Sequence, residues 1–173
     1  MLMHPGMAQE FYVELPKLGR ILIRSVRGDD DARFLKFLEH VSAEDLRLRF
    51  FGAINVHEPQ FIHNLTHPDS GCVAVKVAVD EKTDEVLGVA RLHRIAKSKS
   101  GEYAVLVRSA LQGQGLGWEL MQAVIREART AGLEHVEGLV LSDNERMLHM
   151  CQELGFDIKE AGEPGVRIAR LAL

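Results

Sequence analysis

The spacing of apolar and polar positions changes period several times along the chain, and each change marks an element. Ile21-Leu22-Ile23-Arg24-Ser25-Val26 reads as a first strand. Asp29, Asp30 and Asp31 then favour a helix start, where acidic groups suit the positive end of the dipole, and Phe34, Leu35, Leu38 and Val41 supply its apolar stripe. Ser42-Ala43-Glu44-Asp45 opens a second short helix through Leu46, Leu48 and Phe50, and a third helical piece spans Pro59 to Leu65. The middle of the chain is β in character. Cys72 to Val79 is rich in β-branched residues, Asp80 to Glu85 is polar, and Val86 to Ile95 completes a hairpin with a longer loop. Glu102 to Val107 is the next strand. Leu116, Leu120, Val124 and Ala128 lie four apart on one face of a long helix that Ala131-Gly132 stops. His135 to Leu141 is again a strand. Ser142-Asp143-Asn144-Glu145 has the form of a capping box and opens a helix through Met147, Leu148 and Leu154, which Gly155 ends. Phe156 to Lys159 and Val166 to Leu171 close the chain as a strand pair.

Strands that run together and then alternate with helices predict an α/β domain over residues 20–173, with a mixed central sheet. Residues 1–19 show no clear period and are read as a tail or an edge extension. The 173 residues suit one domain, and 46% hydrophobic with 27% charged residues is ordinary for a globular protein. A net charge of −4 gives no electrostatic case for a nucleic-acid partner. No apolar run reaches membrane-spanning length, and no basic segment leads an apolar one at the N-terminus, so no membrane partner or secretory leader is expected. Cys72 and Cys151 lie far apart and form no CxxC; reduced thiols in a cytoplasmic protein are the simple reading.

The stretch richest in chemistry is Gln112-Gly113-Gln114-Gly115-Leu116-Gly117, at the junction between a strand and the long helix. Alternating glycines let the backbone turn tightly and approach a ligand, and the first N–H groups of a helix have no internal partner. Such a junction is a natural seat for a pyrophosphate. Gly113 and Gly115 fit the first two positions of a G-x-G-x-x-G dinucleotide fingerprint, but Trp118 stands at the third, and no GK[ST] phosphate loop is present. No serine sits in G-x-S-x-G. His63 and His67 lie four apart with His57 nearby, yet no carboxylate motif accompanies them and Pro68 ends their helix; they are read as solvated histidines, with no metal expected.

Gln112-x-x-Gly115-x-Gly117 resembles the Q/R-x-x-G-x-G/A signature of the GNAT superfamily of N-acetyltransferases, which binds the pyrophosphate of acetyl-CoA. Val107 stands five residues before Gln112, where the family's fourth strand ends, Asn144 opens the helix after the fifth strand, and Leu154-Gly155-Phe156 matches a closing "LGF". Leu48-Arg49-Phe50-Phe51, Leu65-Thr66-His67-Pro68-Asp69 and Glu102-Tyr103-Ala104-Val105 are similar to the acetyltransferase domain of bacterial protein lysine acetyltransferases, which modify acyl-CoA synthetases.

The resemblance implies a GNAT fold, a mostly antiparallel sheet with helices on both faces, and acetyl-CoA as co-substrate without a metal. It implies cofactor contacts from Gln112, Gly113, Gln114, Gly115, Leu116 and Gly117. It also implies backbone contacts from Leu106 and Val107 on a splayed strand, whose amides would polarise the thioester carbonyl. Glu102 takes the place of the glutamate that many protein-acetylating members use as general base; the plain alternative is a solvated strand-end carboxylate. Many relatives protonate the departing thiolate with a tyrosine where this chain has Cys151, so Cys151 stands either as an unusual acid or as a small buried hydrophobe. Asn144 is either a pantetheine contact or a helix cap, and Trp118 either flanks the coenzyme or packs in a core or interface. The expected function is acetyl transfer to a primary amine, preferably a protein lysine such as one on an acyl-CoA synthetase. A small amine or amino acid as acceptor, and a non-catalytic acetyl-CoA-binding regulatory module, are the alternatives.

Overall fold

The computed structural model describes residues 10–52 and 54–173. An eight-stranded sheet runs in the order β1-β2-β3-β4-β5-β6-β8-β7. Its strands are β1 (Phe11–Leu15), β2 (Gly19–Ser25), β3 (Cys72–Asp80), β4 (Val86–Arg94), β5 (Ser100–Val107), β6 (His135–Leu141), β7 (Asp157–Glu160) and β8 (Val166–Ala172). Every neighbouring pair is antiparallel except β5 and β6. The helices are α1 (Asp31–Glu39), α2 (Ala43–Phe50), α3 (Pro59–Thr66), α4 (Leu116–Thr130) and α5 (Glu145–Glu153). Phe11–Leu15, within the stretch read as a tail or an edge extension, is the edge strand of this same sheet, tied to β2 from Phe11↔Ile23 to Leu15↔Gly19. Residues 1–9 lie outside the described residues.

The two-residue period of the strands sorts their side chains onto two faces. Ile21, Ile23, Ala78, Val105 and Val107 join Leu120, Val124 and Ala128 of α4 in one core, whereas Val75, Val77, Val79 and Leu106 meet Phe34, Phe37 and Leu38 of α1 and Ile62 of α3 in the other. Helices therefore cover both faces, and β5 contributes to both.

α1 starts within the expected acidic run, but at neither α1 nor α5 does the first candidate side chain cap the helix. The acidic run before α1 places Asp30 at the N-cap, but its side chain makes no capping bond. Instead it is fully buried and takes both Arg24 guanidinium bonds, at 2.8 and 2.9 Å. The box at Ser142–Glu145 is not formed either: the N-cap of α5 is Asn144, whose Oδ1 accepts the Met147 N–H at 3.2 Å. Ser142 is held outside the helix because its N–H bonds the Gly165 carbonyl.

Candidate active site

The parallel strands β5 and β6 pair only over Ser100–Glu102 and His135–Glu137. Past that point β5 stays on β4 through Val107, and β6 stays on β8 through Leu141, so the sheet opens between them. The β4–β5 register is unbroken, and the shifts in this region of the sheet fall between β3 and β4. The inner flanks of β5 and β6 consequently offer main-chain groups to an extended ligand, as an exposed sheet edge does.

Tyr103 stands where the strands part. Gly138 is the next position opposite it on β6, and a Cβ there would lie 2.5 Å from the Tyr103 ring. The ring crosses this gap and meets Phe156 edge-on at 5.6 Å. Its hydroxyl lies 3.1 Å from Cys151 Sγ. Burial pushes the Tyr103 phenol well above its ordinary pKa.

The opening leads into a cleft of about 1040 Å³ between α2, β5, the start of α4 and α5. Val107 and the backbone turn at Gly113 and Gly115 line it. Both glycines have positive φ, +76° and +97°, a conformation that side chains with a Cβ rarely adopt. Gly115 is the N-cap of α4, so the first N–H groups of that helix start at the cleft wall. Gly117 and Trp118 also line it, as do Gln112, Leu106 and Glu102.

Gln112 is held from both sides. Its amide donates to Asp45 of α2 at 2.9 Å, and its carbonyl oxygen accepts from Arg146 of α5. Asp45 also accepts the Ser109 hydroxyl, which in turn receives the Ser42 N–H. Asn144 caps α5 and also lines the cleft. Leu116, by contrast, turns its side chain into the core at 1% exposure. Gln114 does not line the cleft; its Oε1 is buried without a partner among the described residues. Cys151 is fully buried and does not line the cleft, and burial raises its thiol pKa.

Arg49 of α2 lies on the cleft wall beside Phe50 and Glu102, and Arg91 lies in an adjoining recess that Arg49, Phe50 and Leu106 also line. Burial, together with the nearby Arg91, pushes the Arg49 guanidinium down to about 10, while Glu102 acts in the opposite sense. Arg91 of β4 donates to the Leu65 carbonyl at 2.9 Å, and burial also lowers its pKa. Among the described residues neither arginine forms an ion pair with a carboxylate. Asp45, Arg146, Tyr103 and the Arg49–Arg91 pair are the site features that sequence reasoning missed. Arg49, Tyr103 and Asp45 were visible only as members of quoted stretches, Leu48-Arg49-Phe50-Phe51, Glu102-Tyr103-Ala104-Val105 and Ser42-Ala43-Glu44-Asp45, without these roles.

A model of the Acetyltransferase (GNAT) family matches residues 38–156. The chain is 29% identical over 150 residues to the Pseudomonas aeruginosa acetyltransferase PA5475, covering 85% of this chain and 81% of that one. It is 39% identical over 57 residues to the Pseudomonas aeruginosa L-methionine sulfoximine/L-methionine sulfone acetyltransferase, 33% of each chain. The GNAT domain of S. lividans PAT superposes with a TM-score of 0.88 at 27% identity, covering 99% of this chain and 100% of that one.

Proposed function

The chain belongs to the GNAT family of acetyltransferases, and from that membership we propose that it transfers the acetyl group of acetyl-CoA to a primary amine, preferably a protein lysine. The observation that carries this reading is the parting of β5 from β6 beside the Gly113–Gly115 turn. The backbone N–H groups of residues 113–117 hold the pyrophosphate of the coenzyme, favoured by the α4 dipole. The β6-facing side of the β5 main chain around Leu106 and Val107 receives the pantetheine arm as an added strand, and one of those amides donates to the thioester carbonyl oxygen as charge builds there.

A lysine side chain is neutral in about one molecule in a few thousand at pH 7, so a base is valuable. Glu102 lies exposed on the cleft wall at the last position where β5 pairs with β6, and takes the proton that the amine loses as its nitrogen bonds the acetyl carbon. The carbon–sulfur bond then breaks and the thiolate leaves. Cys151 packs rather than donates: its thiol is buried, faces Tyr103 and does not reach the cleft. The protein-lysine preference draws on the likeness to the S. lividans PAT domain.

The test is thiol release from acetyl-CoA with an acceptor panel read by mass spectrometry, alongside calorimetry with acetyl-CoA alone. Binding plus turnover on peptides or an acyl-CoA synthetase supports the proposal. Absence of calorimetric heat overturns it, and binding without turnover on any acceptor points to the regulatory module. Glu102→Gln should lower kcat by about 10²–10⁴, less at high pH.

A second reading follows from Arg49 and Arg91, two half-buried cations with no carboxylate partner among the described residues. Such a pair suits an acceptor that brings its own carboxylate, as a free amino acid does. In the same panel, amino acids would then outrun peptides.

A further inference from the structure

A second cluster of chemistry lies outside the cleft. Asp31 is the first residue of α1, His63 lies in α3, and His67 caps the C-terminus of α3; none of the three lines the cleft. The four-residue spacing stacks the two imidazoles, with centroids 3.9 Å apart and planes 17° apart. Their Nδ1 atoms stand 4.0 and 3.9 Å from the two Asp31 oxygens. Packing of α3 on α1 thus supplies the carboxylate absent from the local sequence, and one donor atom from each residue falls within 4.8 Å of the others.

We propose that Asp31, His63 and His67 bind a divalent transition-metal ion of the imidazole-preferring kind, with Zn²⁺ the first candidate. Two nitrogens and one carboxylate oxygen suit Zn²⁺, Co²⁺ or Ni²⁺ and disfavour Mg²⁺ and Ca²⁺, which take oxygen shells. Tetrahedral bonds near 2.0–2.1 Å bring ligand atoms roughly 3.3 Å apart. Closing the observed separations to that value takes a turn of the two half-exposed rings out of their stack, so that both in-plane lone pairs meet at the ion. One further feature fits. Thr66, at 2% exposure, donates its hydroxyl to the Asp31 carboxylate, the kind of outer contact that orients a metal-ligating carboxylate. His67 Nδ1 lies 2.8 Å from the Thr66 oxygen and 3.2 Å from the His63 carbonyl, contacts that this nitrogen gives up, with its proton, when it binds the ion.

Bound there, the ion fastens the last turn of α3 to the first turn of α1. Leu65, beside Thr66, holds Arg91 through its carbonyl, so the fastened helix is also a wall of the recess around Arg49 and Arg91. The site is thus structural in kind, and it does not depend on the catalytic reading.

The full chain, stripped with a chelator, is titrated with Zn²⁺ by calorimetry and with Co²⁺ by visible absorption, and melted with and without Zn²⁺. The expected result is binding that stabilises the fold and weakens at least tenfold in Asp31→Asn and in the His63→Ala/His67→Ala double variant. His149→Ala, which breaks the exposed His149–Glu153 contact on α5, is expected to bind like the unaltered chain. Equal affinity in the double variant, an unaffected Asp31→Asn, or Mg²⁺ binding as tightly as Zn²⁺ overturns the proposal. Melting of the metal-free variants at the unaltered midpoint separates lost ligands from lost fold.

Discussion

Substituting Gly138 by alanine probes directly how the sheet is held open. The added Cβ would lie 2.5 Å from Tyr103 Cε1 and 2.7 Å from Cζ, well inside contact distance. The ring has little room to retreat: Tyr103 is 5% exposed, Phe156 meets it edge-on, and its hydroxyl is tied to Cys151. Forcing a methyl into such packing costs about 1–3 kcal/mol. For a chain of this size that lowers the midpoint of thermal unfolding by roughly 3–10 °C. The assay is a melt of Gly138→Ala, Tyr103→Leu and the double variant, followed by circular dichroism. Leucine removes the ring atoms that the new Cβ meets, so the double variant should be less destabilised than the sum of the singles, with a coupling of about 1 kcal/mol or more. Strict additivity, or a Gly138→Ala midpoint equal to that of the unaltered protein, would refute the idea that the ring fills the gap where β5 and β6 part.

Arg24→Met strands the fully buried Asp30 carboxylate and should cost about 3–5 kcal/mol in denaturant titrations. Burial alone would raise the Asp30 pKa, but the Arg24 guanidinium, the Arg27 N–H and Arg33 outweigh it, so the folded value lies below the usual carboxylate range. The pair's contribution is therefore complete above the unfolded pKa, near 4, and is lost as pH falls through the folded value; acid melts of the unaltered chain should show it. Cys151→Ala should keep kcat within about twofold and cost about 1 kcal/mol of stability, because the thiol packs in the core; a hundredfold fall in kcat would restore Cys151 as the acid. Arg49→Met should slow turnover of carboxylate-bearing amines at least tenfold more than that of neutral amines, read as kcat/KM across the acceptor panel; equal losses would sink the amino-acid reading.

What the sequence made legible was local. Gly113 and Gly115 stand out because a positive φ leaves few residue types to choose from, and the stripe from Leu116 to Ala128 stands out because one face of α4 is fully buried. The features that shape the cleft are set by contacts between distant segments. Tyr103 reads as an ordinary strand aromatic until the parallel register brings Gly138 opposite it. Gln112 was visible as a motif residue, but Asp45 and Arg146, which hold it, lie in other helices. His63 and His67 are exposed, as expected, but the carboxylate beside them is carried by α1 and so leaves no local motif. Nor did composition reveal that Asp30 would abandon its cap for Arg24: a buried guanidinium needs a carboxylate more than a helix end needs one N–H satisfied.

The splay itself follows the same logic. Opening a sheet between two strands forfeits ladder hydrogen bonds, each worth about 1 kcal/mol net, and exposes main-chain groups that need water or a ligand. The cost is contained here because both strands keep their outer neighbours, β4 and β8, and because an aromatic ring rather than a void occupies the core side of the gap. Packing by the Tyr103 ring in the gap lowers the ordering cost of the binding edge. On the reading proposed above, the coenzyme arm meets a preformed strand partner, and its binding free energy goes to holding the thioester beside Glu102 instead of prying the strands apart. That preorganisation rests on Tyr103 and Gly138 together, which is why a methyl at position 138 should be felt in acetyl-CoA affinity as well as in stability.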